Sequence, residues 1–367
     1  MTEQELSAYI QAIRPADEAA MEAARRRQAQ LAKPPGSLGQ LEEISIRLAG
    51  VTGQVCPAMG KCRVAVFAAD NGVVAEGVSC TPPAVTLQQA VNMTFRKTGM
   101  SAMAAAFGDD VSVVDVGIDG DVPPVGVLDR KVRRGTGDIA REDAMTHQQV
   151  LDAMAAGMEQ AARARADGVT ALGIGEMGIG NTTTSAAVLA ALTGADIEAV
   201  TGRGGGLTDE GFLRKKEVLR QALALHRPDG NDVIGVLAGV GGLDLAAMTG
   251  AFLGCAHERV PAAVDGFISI AAALCAVRLC PAVRDVLFLS HDSYEVGYRI
   301  AAETLGLQPC LRLGMRLGEG SGCPLLFRVL EGACGVMRGM ATFGEASIED
   351  SYLDEIRAMD AFTVEGA

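Results

Sequence analysis

Glu319 is the residue of this chain best placed to move a proton. It lies in Leu313-Gly314-Met315-Arg316-Leu317-Gly318-Glu319-Gly320-Ser321-Gly322, where an apolar lead-in runs into glycines that already supply the freedom a turn needs. If the lead-in is strand or buried loop, little water reaches the carboxylate, its pKa rises, and it becomes useful as a general base. The competing reading is a solvated loop glutamate.

A second group of residues suits an anion. Gly173-Ile174-Gly175-Glu176-Met177-Gly178-Ile179-Gly180-Asn181-Thr182-Thr183-Thr184 follows a strand-like run and opens a helix-like one. The amides of Gly178, Gly180 and Asn181, with the hydroxyls of Thr182 and Thr183, make a single-phosphate cradle at a helix N-terminus, where unpaired N–H groups and the helix dipole favour negative charge. Glycines for close helix–sheet packing, with Thr as the cap, are the alternative. The stretch also spells G-x-G-x-x-G, the dinucleotide signature, but Glu176 in the tight turn would face a pyrophosphate, and no clear acidic residue ends a next strand at the required distance.

Three weaker candidates follow. In Thr201-Gly202-Arg203-Gly204-Gly205-Gly206-Leu207, Arg203 precedes a helix carrying Lys215 and Lys216, and these could bring positive charge beside the phosphate. Asp70 in Asp70-Asn71-Gly72 either binds a sugar hydroxyl or caps a turn. Ser290-His291-Asp292 suggests a hydrolase triad on paper, yet neighbours on a strand point to opposite faces, and the chain has no G-x-S-x-G elbow.

These residues fall where strands are expected to end. Short apolar runs, Val64 to Ala69, Val111 to Val116, Thr170 to Ile174, Val233 to Ala238 and Val286 to Ser290, alternate with helical patterns such as Gln149 to Ala166 and Thr183 to Leu192. The alternation predicts an α/β fold with a mostly parallel, Rossmann-like sheet covered by helices and functional groups at the carboxyl ends of its strands. Residues 1–50 read as helical around Lys33-Pro34-Pro35-Gly36-Ser37-Leu38-Gly39, a loop enforced by tandem prolines, and helix returns after residue 325. The expected division is a small helical domain from both chain ends, 1–58 and 325–367, and a large α/β catalytic domain, 59–324.

Bulk properties narrow the function. A chain of 367 residues is long for a single core, and 49% hydrophobic residues with no Trp imply packing by Ala, Val, Leu, Ile and Met. A net charge of -13 without dense basic clusters disfavours nucleic acid. Nine cysteines without a Cys-x-x-Cys pair or histidines at zinc spacing read as reduced, mostly buried thiols, so no metal and no cofactor are expected. The acidic start, Met1-Thr2-Glu3-Gln4-Glu5-Leu6, lacks the features of a signal peptide and predicts a cytoplasmic protein. Val233 to Ala256 could span a bilayer by length, but its glycines, the central Asp244 and the absence of basic flanks favour a buried strand followed by a helix, and no membrane association is expected.

Taken in order, these segments resemble the nicotinate-nucleotide:dimethylbenzimidazole phosphoribosyltransferases of cobamide lower-ligand biosynthesis. The matching stretches are Lys33 to Gly39, Asp70-x-Gly72-Val73 through Gly77-Val78-Ser79, Gly175 to Thr183, Gly202-Arg203-Gly204, Asp265-Gly266-Phe267, Ser290-His291 and Gly314 to Gly322. The resemblance implies transfer of the 5-phosphoribosyl group of nicotinate mononucleotide to an aromatic base, 5,6-dimethylbenzimidazole or a relative. Nicotinate is released, the ribose anomeric carbon inverts, and the enzyme is a homodimer.

The resemblance also implies roles. Glu319 is the base that takes the azole proton, and Glu176 sits near the reacting centre. Gly178, Gly180, Asn181 and Thr182 hold the phosphate, with Arg203 and Lys215 near it. Ser79, Gln88, Met177 and Leu317 line the base pocket, and Asp70, Gly204 and Ser290 lie toward the ribose or nucleotide. Asn71 stands where the family has His, and Asp292 and Tyr298 stand where it has Arg and His. Some relatives attach phenol or p-cresol as heterodimers of homologous subunits, so a heterodimer subunit or a non-catalytic nucleotide-binding homologue are the alternative readings.

Overall fold

A computed structural model of the chain describes residues 1–123 and 125–354. Six strands form one sheet: β1 (Cys62–Ala69), β2 (Asp110–Gly117), β3 (Val127–Asp129), β4 (Ala171–Met177), β5 (Ala262–Val264) and β6 (Leu287–Leu289). All neighbours are parallel, in the order β3-β2-β1-β4-β5-β6. Val64 to Ala69 and the whole of β4 are buried, which explains why these strands read as continuous apolar runs rather than as alternating ones. The winding reverses between β1 and β4, so the carboxyl ends of those two strands flank a crevice suited to a ligand.

Fourteen α-helices surround the sheet among the described residues. α1 (Glu3–Ala12), α2 (Glu18–Gln30) and α3 (Gln40–Thr52) precede it; α4 (Val85–Thr94) and α5 (Gly99–Phe107) join β1 to β2; α6 (His147–Ala166) leads into β4. α7 (Asn181–Thr193), α8 (Ile197–Val200), α9 (Asp209–His226), α10 (Val233–Val240) and α11 (Leu243–Glu258) fill the long crossover to β5, and α12 (Phe267–Leu279), α13 (Gly297–Leu305) and α14 (Cys323–Gly339) complete the chain. Among the described residues no helix is long and apolar enough to cross a membrane. All nine cysteines are unpaired.

Helices from both chain ends share a small second core, in which Ala20, Ala24, Leu31, Ile46 and Ala49 meet Met337 of α14. α14 begins at Cys323, ahead of the expected boundary at 325, and residues 355–367 of that expected segment lie outside the described residues.

One expectation fails for a physical reason. Val233 to Ala238 is not a strand: it is the first part of α10, whose N-terminus is capped by the Asp232 carboxylate accepting from the Gly235 N–H at 2.9 Å. A segment apolar at every position carries no helical periodicity to distinguish it from a buried strand. β3 and β5, of three residues each, are additions that the apolar runs did not announce.

Candidate active site

The crevice at the β1/β4 reversal holds a cavity of about 270 Å³. Glu176 and Met177 at the end of β4 form its floor, and the loop carrying Glu319 covers one side.

Glu319 is 5% exposed and adopts φ +63°, a left-handed conformation rare for a residue with a side chain. Its own N–H donates to Glu176 Oε1 at 3.2 Å. Its carboxylate accepts from Gln89 Nε2 and from the Met100 N–H, each at 3.4 Å. Met100 lies in the first turn of α5, so the helix dipole faces the carboxylate. Burial raises the Glu319 pKa, while Thr98 and the Met100 N–H oppose the rise. Contrary to the expectation from sequence, the dryness does not come from the lead-in: Leu313 and Leu317 are 57% and 58% exposed, and α4, α5 and β4 exclude the water instead.

The glycines of β4 make that seat possible. A Cβ on Gly175 would lie 2.8 Å from the Glu319 carbonyl oxygen and the Gly320 backbone. Gly175 therefore sits inside a strand where the loop packs on it and Gly173 where Cys323 and Phe327 of α14 do, not in a pyrophosphate turn, and the dinucleotide pattern is accounted for by close approach.

Behind Glu319 stands a buried chain of acids. Asn181 Nδ2 donates to Glu176 Oε2 at 2.5 Å and to Asp244 Oδ2 at 2.9 Å. Burial first, then the neighbouring Asp244 and Asp265, push Glu176 up to about 8, with Asn181 opposing. Asp244 is raised by burial to about 6. Burial thus weighs against a second negative charge on Glu176, while the Asn181 amide and the Glu319 N–H on its two oxygens work in its favour. The Asn181 side chain is likewise committed to carboxylates rather than to a phosphate, and its N–H closes a turn onto Gly178 O at 3.2 Å.

The other end of the cavity gathers helix N-terminal amides and basic side chains, with the Glu295 carboxylate among them. Gly178, Gly180 and Thr182 line it at the N-terminus of α7, with Arg203 and Gly204 opposite. Lys215 is wholly buried behind Thr182 and donates to its Oγ1 at 2.8 Å; no carboxylate lies within ion-pair distance among the described residues. Burial lowers its pKa to about 8, with Glu295 opposing. Arg203 is half turned away, donating to Leu207 O at 3.0 Å and pairing with Asp209 at 2.5 Å.

Among the expected base-pocket residues, Ser79, Met177 and Leu317 line the cavity, whereas Gln88 is exposed and its neighbour Gln89 takes the place. The spacing explains the shift: Thr86, Ala90 and Met93 are the buried positions of α4, and Gln89 falls on that side of the helix while Gln88 does not. Asp70 and Ser290 do not line the cavity. Asp70 Oδ2 accepts from the Asp119 N–H at 2.8 Å, and Ser290 Oγ donates to Asp265 O at 3.2 Å. Tyr298 is buried behind the site, and Asn71 accepts from Thr184 Oγ1 at 3.4 Å.

Adjacent Ser290 and His291 do touch, at 3.0 Å from Oγ to Nδ1, against the opposite-faces expectation, because β6 ends at Leu289. The nearest carboxylate is Asp265, 3.9 Å from the same Nδ1, not Asp292. With serine and aspartate on one ring nitrogen there is no relay through the imidazole. Gln89, Asp244, Asp265 and the α5 N-terminus are the site groups to which sequence reasoning gave no role; the readable signals were a helix face for Gln89, a lone charge in an apolar run for Asp244 and, for Asp265, its place in a stretch that carries the family resemblance.

The geometry therefore offers one anionic proton acceptor and one anion-binding end, separated by a cavity of the size of a small ring system. A family model described as a phosphoribosyltransferase matches residues 13–348. The chain is 46% identical over 341 residues to the nicotinate-nucleotide–dimethylbenzimidazole phosphoribosyltransferase of Clostridium perfringens (strain 13 / Type A), covering 93% of this chain and 94% of the relative. It is 45% identical over 347 residues to the enzyme of the same name from Geobacter metallireducens, covering 94% and 98%. The crystal structure of CobT from Thermus thermophilus superposes with a TM-score of 0.88 at 44% identity, covering 91% of this chain and all of that one.

Proposed function

The chain belongs to the family of nicotinate-nucleotide–dimethylbenzimidazole phosphoribosyltransferases, and from that premise we propose which residues carry the transfer and how. It is a pentosyltransferase that moves the phosphoribosyl group of nicotinate mononucleotide to an aromatic base in cobamide lower-ligand activation.

In the proposed pose the phosphate sits at the N-terminus of α7 with Lys215 behind Thr182 and Arg203 at the rim, and the two rings lie toward Glu319. The azole nitrogen attacks the anomeric carbon as the bond to the pyridinium nitrogen breaks. That electron pair neutralises the ring, which leaves as nicotinate, and the azole N–H proton passes to Glu319. The pyridinium is already a good leaving group, so the protein's task is to align two rings and accept one proton. Glu319 is also the anion nearest the positive charge that develops on the ribose. Glu176 holds the Glu319 backbone through its Oε1, and burial weighs against a competing charge there.

The observation that carries this reading is the seat of Glu319: a buried carboxylate in a left-handed conformation, held by Gln89 and the α5 N-terminus above the cavity. The acceptor is 5,6-dimethylbenzimidazole or a relative, taken into the pocket of Ser79, Met177, Gln89 and Leu317. A paired chain, its own copy or a homologous subunit, and a cytoplasmic place of work belong to the same proposal; exposed Tyr294, Val296 and Leu313 beside the mouth support a covering partner. The test is nicotinate release from nicotinate mononucleotide with a panel of benzimidazoles, purines and phenols. Base-dependent release that Glu319→Gln abolishes is expected, and its absence with every base, with the chain alone and with a homologous partner added, would sink the reading.

A further inference from the structure

Three consecutive residues of the Glu319 loop are left-handed: Gly318 at φ +80°, Glu319 at +63° and Gly320 at +83°. Along this turn the Glu319 N–H goes to Glu176, the Ser321 N–H returns to Gly318 O at 2.9 Å, and the N–H groups of Gly320 and Gly322 share one carboxylate. That shared acceptor is not a substrate. It is the Asp265 carboxylate, 1% exposed, whose two oxygens accept from the Gly320 N–H at 3.0 Å and the Gly322 N–H at 2.7 Å.

Asp265 follows β5 and is itself fixed on three sides. Its N–H donates to Ser269 Oγ at 3.2 Å, the same hydroxyl donates to Ile174 O of β4 at 2.9 Å, and Ser290 Oγ donates to its carbonyl. Its carboxylate lies below the cavity and does not line it, so it touches the loop and not the reacting atoms. A strained backbone persists only where its surroundings over-determine it. Here the Glu319 N–H goes to Glu176 and the next two free N–H groups go to Asp265, which leaves the loop one arrangement.

We propose that Asp265 is a positioning residue for the proton transfer, locking the loop in the left-handed run that aims the Glu319 carboxylate at Gln89 and the α5 N-terminus. The proposal rests on the reading of Glu319 as the base. Asp265→Asn keeps the shape but turns a donor toward one of the two N–H groups, loosening the loop without emptying the site.

The test is a double-mutant cycle of Asp265→Asn and Glu319→Gln, reading kcat and KM for nicotinate mononucleotide. A residue that acts only through Glu319 has nothing left to lose once Glu319 is gone. With Glu319 present, Asp265→Asn is expected to lower kcat roughly 100-fold, the scale of a 1 Å misplacement, with KM within about threefold. In the Glu319→Gln background it should change kcat by less than about threefold. Equal losses in both backgrounds would make Asp265 a general structural residue and overturn the proposal, as would no loss in the first. A Glu319→Gln single variant with undiminished rate overturns the base reading beneath it, and is told apart because it shows without Asp265 being touched. If Asp265→Asn does not fold, Ser269→Ala, which removes the hydroxyl that accepts from the Asp265 N–H and does not line the cavity, runs the same cycle with an expected loss of roughly threefold to tenfold confined to the Glu319 background.

Discussion

The two ends of the cavity use burial in opposite senses. At one end Glu319, Glu176, Asp244 and Asp265 are buried with no Lys or Arg paired to them among the described residues, and desolvation raises every one. At the other end Lys215 is buried with, among the described residues, no carboxylate at ion-pair distance, and desolvation lowers it to about 8 against the opposing charge of Glu295. Removing water disfavours whichever form is charged, so both ends are brought toward neutrality by the same cause. The substrate then supplies what each end lacks. A phosphate favours the charged ammonium, and a pyridinium ring favours the charged carboxylate. Each end is thus poised to take its full charge when the correct part of the ligand arrives, and a ligand bound in reverse would meet like charges.

The sharpest way to break that comparison is to remove the charge from one end at a time. Glu319→Gln should lower kcat by about 10²- to 10⁴-fold, the range of a positioned general base, with KM for nicotinate mononucleotide little changed. Saturation kinetics of nicotinate release would show it. A variant that instead raised KM with kcat intact would move Glu319 from the proton to the binding of the nucleotide.

Lys215→Met keeps the volume and deletes the cation. KM for nicotinate mononucleotide should rise about tenfold to a hundredfold, the worth of one charge-assisted contact, with a smaller effect on kcat. The sign of the pH effect follows from the depressed pKa: the ammonium is complete well below about 8 and is lost as pH rises through it. KM of the parent should therefore climb across that window, and the Lys215→Met variant should lack the climb.

The acid end also marks stability. Glu176 has a folded pKa of about 8 against an ordinary 4.5, so the folded chain holds a proton that the unfolded chain releases. That contribution is complete below the ordinary value and is lost as pH rises through about 8. The melting temperature should fall across this range by a few degrees, roughly what one buried carboxylate can contribute in a chain of this size. Glu176→Gln should flatten the fall, and an unchanged slope would show that Glu176 ionises freely.

The sequence carried the two ends of the cavity unevenly. Glu319 stood out because a carboxylate among glycines has no turn-forming purpose, and the α7 cradle because glycines and threonines open a helix after a strand. What stayed hidden acts at a distance: Asp265 lies 54 residues before Glu319 and Asp244 lies 63 after Asn181, so only the folded sheet brings them together. The parallel sheet was legible in β1, β2, β4 and β6, whose runs are long or end in polar residues. α10 was not, because a run apolar at every position erases the period that separates helix from strand.

α4 offers the finest test of the proton end, since two adjacent glutamines make opposite predictions. Gln89 is held by Asn92 Nδ2 donating to its Oε1 at 3.1 Å, which leaves its own Nε2 to face Glu319 Oε1 at 3.4 Å. A contact of that length adds little energy but favours the charged carboxylate and fixes its direction. Gln89→Ala should lower kcat/KM roughly threefold to tenfold, in keeping with one ordinary hydrogen bond to a charged group. Gln88→Ala, on the solvent side of the same helix, should leave it within about twofold, as surface substitutions usually do. The reverse outcome would turn α4 by one position in the working enzyme, and Glu319 would then be held by the α5 N-terminus alone, leaving its carboxylate less stabilised as an anion and the proton end further from charge than the phosphate end.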